Sequence, residues 1–256
     1  MIYLDKQFVL YSPLDIEYDK DKALAEAKNV IDNYGAWISS KGIKLQRPDI
    51  SSLSTTEADY LEKQSRQLQQ SERPNDFPVK GVLLRGIKGL KYSFSYLITD
   101  TSLFERTDIV AECPTIVDLI NNLPFEKVGR VNIQTVEPGM SLHKHIDSVF
   151  RIDSETQERR NEHLLQYGIN KFNMDVNCLI TVVFQGDGIN FYFNRSKEKI
   201  KVFDSAYYFC PQFIHHSIDK TNQQRIICRI EGKASTEMVD WIQENAEKNN
   251  DRVIVI

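Results

Sequence analysis

The segment SLHKHIDSVF, residues 141–150, holds two imidazoles and a carboxylate close together, in a chain of 256 residues with only five histidines. His143, His145 and Asp147 occupy alternate positions, and alternate side chains of an extended strand point to the same face. Two neutral imidazoles and one carboxylate form a mixed ligand set that suits a divalent, iron-like metal. The segment therefore predicts part of a metal site, with further ligands supplied from elsewhere in the chain.

The remaining histidines leave few candidates for a further ligand. His163 lies in a polar, irregular stretch, whereas His215 and His216 lie together on the predicted strand QFIHHSI, residues 212–218. A His-x-Asp triplet occurs by chance in many chains, so the order of the surrounding features carries more weight. A strand, the turn EPGM, the triplet HID, a β-rich stretch and IHHSI follow one another, and Arg225 comes nine residues after His216.

The second half of the chain consists of short runs rich in β-branched and aromatic residues. Turn signals such as QGDG (185–188), NRSK (194–197) and KTNQQ (220–224) separate several of them. The predicted strands are 128–136, 177–184, 189–194, 199–203, 206–210, 212–218 and 225–230. Many short strands at this spacing favour a jelly roll or barrel.

Helical patterns flank these strands. Residues 21–35 place Leu24, Ala27, Ile31 and Tyr34 on one face, 54–71 begin with a capping box, and 115–123 and 235–248 also have helical periodicity. We therefore predict an α+β fold in one domain, 1–256. Residues 1–124 would be mainly helical support with a candidate lid, 125–231 the β core with an insert at 148–176, and 232–256 a C-terminal helix and tail.

The sequences GRVNIQTVEPGMSLHKHID and IHHSIDKTNQQRIICRI resemble those of the iron(II)/2-oxoglutarate-dependent oxygenases. The match covers about residues 128–231 and is most similar to the aspartyl/asparaginyl β-hydroxylase and free-proline hydroxylase branch, in which a Pro-Gly turn precedes the His-x-Asp. The resemblance implies a double-stranded β-helix core, a cupin-like jelly roll. It also implies that His145, Asp147 and His216 bind the metal, with His215 as the alternative to His216 and His143 at the mouth of the site.

The resemblance also implies the cosubstrates, 2-oxoglutarate and O2, beside Fe(II). An arginine would grip the far carboxylate of 2-oxoglutarate with paired hydrogen bonds. Arg225 is the first choice and Arg229, on the same face by strand alternation, is the fallback. Asn132 and Gln134 either contact the cosubstrate or substrate or complete hydrogen bonds in the core.

The activity implied is hydroxylation of an unactivated carbon, with release of succinate and CO2. Asp147 favours hydroxylation over halogenation, because halogenating relatives have a small residue in its place. The substrate would be a small molecule or peptide, with an amino acid, free or in a chain, as the acceptor. Arg151 could bind a substrate carboxylate, and the segments 48–78 and 148–176 would select the substrate.

Two other functions stay open. His143-Lys-His145 resembles the His-x-His of cupin metalloenzymes that do not use 2-oxoglutarate, but the cupin pattern has a glutamate three or four residues later. Here the first one, Glu155, comes ten residues after His145. The other alternative is a jelly roll that binds a ligand without catalysis.

Composition bounds the partners and the compartment. A net charge of −4 provides no basic field for nucleic acid, and no apolar run approaches the roughly 18 residues of a membrane span. Four scattered cysteines suit a reducing compartment, and the opening MIYLDKQFVL lacks the pattern of a signal peptide. We expect a cytoplasmic protein that binds neither nucleic acid nor membrane; its oligomeric state is left open.

Overall fold

The computed structural model describes residues 3–37, 79–87, 104–136, 138–139, 178–186, 189–193, 200–202, 205–209, 215–217 and 222–255. These segments form an α+β fold dominated by antiparallel strands, which confirms the predicted fold class. The strands are β1 (Tyr3–Leu4), β2 (Gln7–Pro13), β3 (Ala36–Trp37), β4 (Val79–Ile87), β5 (Phe104–Arg106), β6 (Phe125–Val136), β7 (Cys178–Gln185), β8 (Ile189–Phe193), β9 (Ile200–Val202), β10 (Ala206–Phe209), β11 (His215–Ser217), β12 (Arg225–Ala234) and β13 (Ile254–Val255).

The helices within the same segments are α1 (Lys20–Tyr34), α2 (Pro114–Asn122) and α3 (Thr236–Lys248), with a short 3-10 helix at Asp108–Glu112. None of these described helices has both the length and the apolar character needed to cross a bilayer.

The strands divide into two antiparallel sheets. The main sheet has the order β1-β2-β10-β7-β12-β6-β4-β3, with β13 beside β2 and β5 beside β4, and the second sheet has the order β11-β8-β9. From β7 onward the chain passes from the main sheet to β8 and β9, returns for β10, leaves for β11 and returns for β12. This winding between two sheets is that of a jelly roll, as predicted.

The sequence predicts the N-terminal half as mainly helical support, and its described residues also supply five strands. Of these, β2 extends the main sheet beyond β10 and β4 extends it beyond β6. In β2 the run from Val9 to Ser12 is at most 1% exposed, so both faces are buried and no alternating pattern exists. In β4 a register shift between Leu83 and Arg85 interrupts the alternation. The predicted helix at 54–71 lies outside the described residues.

The helices cover one face of the main sheet. Helix α1 packs on β4, β6, β7 and β12 and against α2, and α3 packs on β1, β2 and β12. The apolar face predicted for α2 is confirmed, because Ile116, Leu119, Ile120 and Leu123 are all buried. In α1 the prediction is partly wrong, since Tyr34 is 44% exposed and the buried face is made by Ala23, Ala27, Val30 and Ile31.

A carboxylate from α1 caps the start of α2. The N-cap residue of α2, Cys113, makes no capping bond with its side chain. Instead, the backbone N–H groups of Thr115 and Ile116 donate to Oε1 and Oε2 of Glu26, each at 3.0 Å. A negative charge at a helix N-terminus also interacts favourably with the helix dipole. Glu26 therefore fixes the two helices of the N-terminal layer to each other.

The described cysteines behave as small core residues. Cys113, Cys178 and Cys228 are buried and form no disulfide within the described part of the chain, while Cys210 lies outside the described residues. Burial, followed by the charges of Glu26 and Glu112, raises the pKa of Cys113 to about 12. Burial also raises the pKa of Cys228, so both thiols stay protonated at neutral pH.

Candidate functional site

The face of the main sheet opposite the helices carries a set of buried polar residues. On β12, Ile226, Cys228 and Ile230 pack into the core with the helices, so the intervening positions fall on the other face. Arg225 and Arg229 occupy two of those positions. Asn132 and Gln134 of β6 pair with Arg229 and Ile227, which places them on this face as well. The four predicted binding residues of β6 and β12 therefore share one face.

Arg225 is buried without a carboxylate partner among the described residues. Its side chain is on a residue only 4% exposed, and Nη2 donates to the Tyr207 hydroxyl at 3.0 Å. Tyr207 lies on β10, on the far side of β7, and its ring packs against Tyr11 with centroids 5.4 Å apart. Arginine is almost never fully buried unless it is paired, so this guanidinium calls for an anion.

Arg229 differs from Arg225 in having a carboxylate nearby. Its Nη2 lies 3.9 Å from Oε1 of Glu231, and the same carboxylate forms an ion pair with the guanidinium of Arg130. Arg130 and Glu231 have side chains that are 3% and 15% exposed, so the cluster is largely desolvated. The Glu231 carboxylate, which Arg229 shares with Arg130, thus compensates part of the charge at Arg229. Of the two arginines, Arg225 is the one suited to an external anion.

A row of polar side chains runs across the sheet at the level of Arg229. Asn132 flanks Arg229 on one side and Thr181 flanks it on the other, and Thr181 pairs in turn with Tyr207. Asn132 is 7% and Thr181 1% exposed. Asn132 Oδ1 and Thr181 Oγ1 have no hydrogen-bond partner within the described segments. Buried polar atoms without partners are uncommon, and they leave this face able to bind a polar ligand.

Gly186 packs directly against Arg225. Its φ is +120°, and a Cβ added there would lie 3.1 Å from Cα, Cβ and Cγ of Arg225. In the preceding residue, Gln185 Nε2 donates to the Gln224 carbonyl at 3.1 Å, which joins the β7 end to the start of β12. The sequence QGDG indicates only a turn, and no sequence pattern distinguishes Tyr207 from other strand tyrosines. The one available signal, a small residue beside a polar strand end, is too common to identify either.

The predicted metal ligands are described only in part. His216 and His215 lie on β11, where the backbone pairs His216 with Tyr192 and His215 with Phe193. His143, His145, Asp147, Arg151 and His163 lie outside the described residues. Among the residues that are described, no three histidine, cysteine or acidic side chains form a metal-binding cluster.

The hydrogen-bond donors on the face opposite the described helices fit a carboxylate. Arg225 offers a planar guanidinium that can bind both oxygens of one carboxylate, and the Tyr207 hydroxyl lies within hydrogen-bond distance of it. The buried guanidinium can hold one carboxylate of a small dianion, and the Thr181 hydroxyl on the same face can donate to another of its oxygens. This part of the site is compatible with 2-oxoglutarate as the bound molecule.

Neither family models nor curated protein sequences match the chain. Among solved structures, it is similar to a Trichoplax adhaerens prolyl hydroxylase in complex with a hypoxia inducible factor oxygen degradation domain peptide fragment, with 12% identity over 86% of this chain and 80% of that one and a TM-score of 0.40. It is also similar to a 2OG-Fe(II) oxygenase family oxidoreductase from Burkholderia pseudomallei, with 9% identity, coverage of 87% and 97%, and a TM-score of 0.37.

A third similar structure is a Pseudomonas putida prolyl-4-hydroxylase, with 9% identity over 82% of this chain and 99% of that one and a TM-score of 0.31. These similarities do not show the aspartyl/asparaginyl β-hydroxylase branch.

Proposed function

We propose that the chain is an iron(II)- and 2-oxoglutarate-dependent dioxygenase that hydroxylates an unactivated carbon, with an amino acid, free or in a peptide, as the substrate. The observation that carries the proposal is Arg225, a buried guanidinium with no carboxylate partner among the described residues. The motif order around His145, Asp147 and His216 supports it, as does the jelly-roll winding of β6 to β12.

Arg225 would hold the far carboxylate of 2-oxoglutarate. In a buried site a hydrogen bond between two charged groups is about twice as strong as one between neutral groups. Tyr207 would keep the guanidinium in place through its hydroxyl, and Gly186 would leave room for the arginine stem. Asn132 and Thr181 would offer their unpaired oxygens to donors on the bound molecules.

His145, Asp147 and His216 would hold the iron. When bound, iron would supply activation of O2 coupled to oxidative decarboxylation of the cosubstrate to succinate and CO2. The protein would contribute position and exclusion of water. With its far carboxylate bound to Arg225, the cosubstrate could bind in one orientation only. The buried face around it would exclude water from the reacting atoms.

The same observation distinguishes this proposal from a cupin enzyme that does not use 2-oxoglutarate. Such an enzyme has no need for a buried guanidinium reserved for an external carboxylate. A ligand-binding jelly roll without catalysis would also account for Arg225, so turnover has to be measured. The two predictions differ in whether succinate is released.

The test is a screen for substrate-stimulated succinate release with purified full-length protein, Fe(II), 2-oxoglutarate and free amino acids or peptides. A visible charge-transfer band on anaerobic addition of Fe(II) and 2-oxoglutarate would report the ternary complex without a known substrate. His145→Ala and Asp147→Ala should each abolish both signals, and a comparison of His215→Ala with His216→Ala should identify the distal ligand. Folded protein that gives a flat difference spectrum and no succinate with any substrate would refute the proposal.

A further inference from the structure

A pocket lies on the helix side of the main sheet, between the sheet and α2. It has a volume of about 200 Å³. Its apolar lining is shared between the two layers: Leu84, Val110, Val117, Ile120, Val128 and Val131. Three polar side chains, Arg85, Arg106 and Asn121, complete the lining. The main sheet separates this pocket from Arg225, because Leu84 and Val131 pack on the face opposite to the one that carries Arg225.

A β-bulge brings Arg85 to this face. Leu83 pairs with Asn132, which lies on the same face as Arg225. Arg85 instead pairs with Val131, whose side chain packs in the core with the helices. The register shift between them changes the face on which Arg85 falls. Arg85 Nε donates to the Val128 carbonyl at 3.0 Å, which fixes the stem of the side chain at the pocket. The bulge therefore points a charged residue at an apolar lining.

The second arginine lies directly opposite the first. Arg85 of β4 pairs with Arg106 of β5, and like charges at directly opposed positions of two strands destabilise the pair. Arg106 Nη2 donates to Asn121 Oδ1 of α2 at 2.9 Å. Within the described part of the chain, neither guanidinium forms an ion pair with a carboxylate. Burial and then the charge of Arg106 lower the pKa of Arg85, while the charge of the Glu105 carboxylate acts in the opposite direction.

We propose that this pocket binds a small amphipathic carboxylate, with its apolar group against α2 and the sheet and its carboxylate between Arg85 and Arg106. A cavity of about 150 Å³ is enough to bind benzene, so this one has room for a phenyl ring or a short branched alkyl chain. Inorganic phosphate would satisfy the arginines but not the apolar lining. A free amino acid would bring an ammonium group close to two guanidiniums, which would repel it.

Binding of benzoate and 4-methylpentanoate to the full-length protein tests the proposal, by calorimetry or by chemical-shift changes in NMR spectra. Both acids should bind saturably. Their uncharged amides, which have the same shape, should bind at least about tenfold more weakly, a ratio that corresponds to roughly 1.4 kcal/mol. Phosphate and L-leucine should also bind more weakly than 4-methylpentanoate. Amides that bind as tightly as the acids would refute a charged site.

Variants locate the site. Arg106 is exposed, so Arg106→Gln should fold and should weaken benzoate binding by about tenfold or more, the loss expected for one charge-assisted hydrogen bond. Lys20→Gln, at the exposed start of α1, removes the same charge away from the pocket and should leave binding unchanged. Arg225→Met should leave it unchanged too. Loss of benzoate binding in Arg225→Met, or equal binding by Arg106→Gln and wild type, would overturn the proposal.

Discussion

Replacement of Arg225 by methionine should stabilise the ligand-free protein and remove its response to 2-oxoglutarate. Arg225 is 4% exposed, and within the described part of the chain its guanidinium donates one hydrogen bond, to Tyr207, and has no carboxylate nearby. A residue kept only for stability would not leave a buried charge in this state, because the desolvation of the charge is compensated only when an anion binds. Methionine keeps an unbranched side chain in place of the first part of the arginine stem and removes the charge.

The size of both effects follows from the burial of Arg225. Replacement of a buried ion pair by apolar residues of similar volume is often neutral or stabilises a protein by up to about 4 kcal/mol, and for Arg225 the lost hydrogen bond to Tyr207 subtracts about 1 kcal/mol. For a chain of this size each kcal/mol raises Tm by about 2–4 °C. For the wild type, 2-oxoglutarate at a hundred times its Kd should add about 2.7 kcal/mol. The variant should lose most of that, since a hydrogen bond to a charged group contributes about 1.5–3 kcal/mol.

The assay is thermal unfolding with and without 2-oxoglutarate and Fe(II) for the wild type and two variants. Arg229→Met is the matched control: it removes a guanidinium from the same strand and face, but one that lies 3.9 Å from the Glu231 carboxylate. We expect the control to lower Tm and to keep the response to 2-oxoglutarate. If Arg225→Met lowers Tm as much as the control and still responds to 2-oxoglutarate, Arg225 is not the residue that binds the cosubstrate.

Three further predictions follow from the described contacts. Gly186→Ala should raise the 2-oxoglutarate concentration needed for half-saturation, because the new methyl group would lie 3.1 Å from the Arg225 stem. The control is Gly139→Ala, which is also at positive φ but in open space. In equilibrium unfolding this control should cost at most about 1–2 kcal/mol of stability. Glu26→Ala should lower the free energy of unfolding by about 1–2 kcal/mol, measured in urea, because two backbone N–H groups of α2 lose their acceptor; an unchanged value would contradict the capping role. Burial, and then Cys228, raise the pKa of Tyr18 from 10.0 to about 12. The folded state therefore keeps a proton that the unfolded state loses, so stability from this group is present below pH 10 and is lost as the pH rises to 12. Tyr18→Phe should reduce the steepness of alkaline unfolding by up to about 1.4 kcal/mol per pH unit, and equal slopes for the two proteins would count against this assignment.

The second half of the fold is predictable from sequence because its strands are rich in β-branched and aromatic residues and turn signals separate several of them. Each predicted strand after Pro124 has a counterpart, and the main error is length: β6 begins at Phe125 instead of 128, and β12 extends to Ala234 instead of 230. The N-terminal strands lack such signals. A strand buried on both faces, such as β2, has no alternation, and a bulge removes it from β4.

The candidate site is predictable in its residue types but not in its pairings. Strand alternation correctly places Arg225 and Arg229 on one face, and nothing in the sequence separates them further. The distinction arises from register, which brings Glu231 and Arg130 to Arg229 and brings Tyr207 to Arg225 from across β7. Register depends on the whole sheet, so a local pattern cannot reveal it. The ligand roles of His145, Asp147 and His216 stay predictions.

The position of β12 has a consequence for synthesis on the ribosome. This last strand of the jelly roll lies between β6 and β7, with ladders to both. At about 10 residues per second, β6 must wait roughly ten seconds after emerging from the exit tunnel until its neighbour is translated. During that interval the nascent chain exposes two unpaired strand edges, which are templates for aggregation. Expression yield should therefore depend strongly on chaperones that shield β6 and β7 before translation ends.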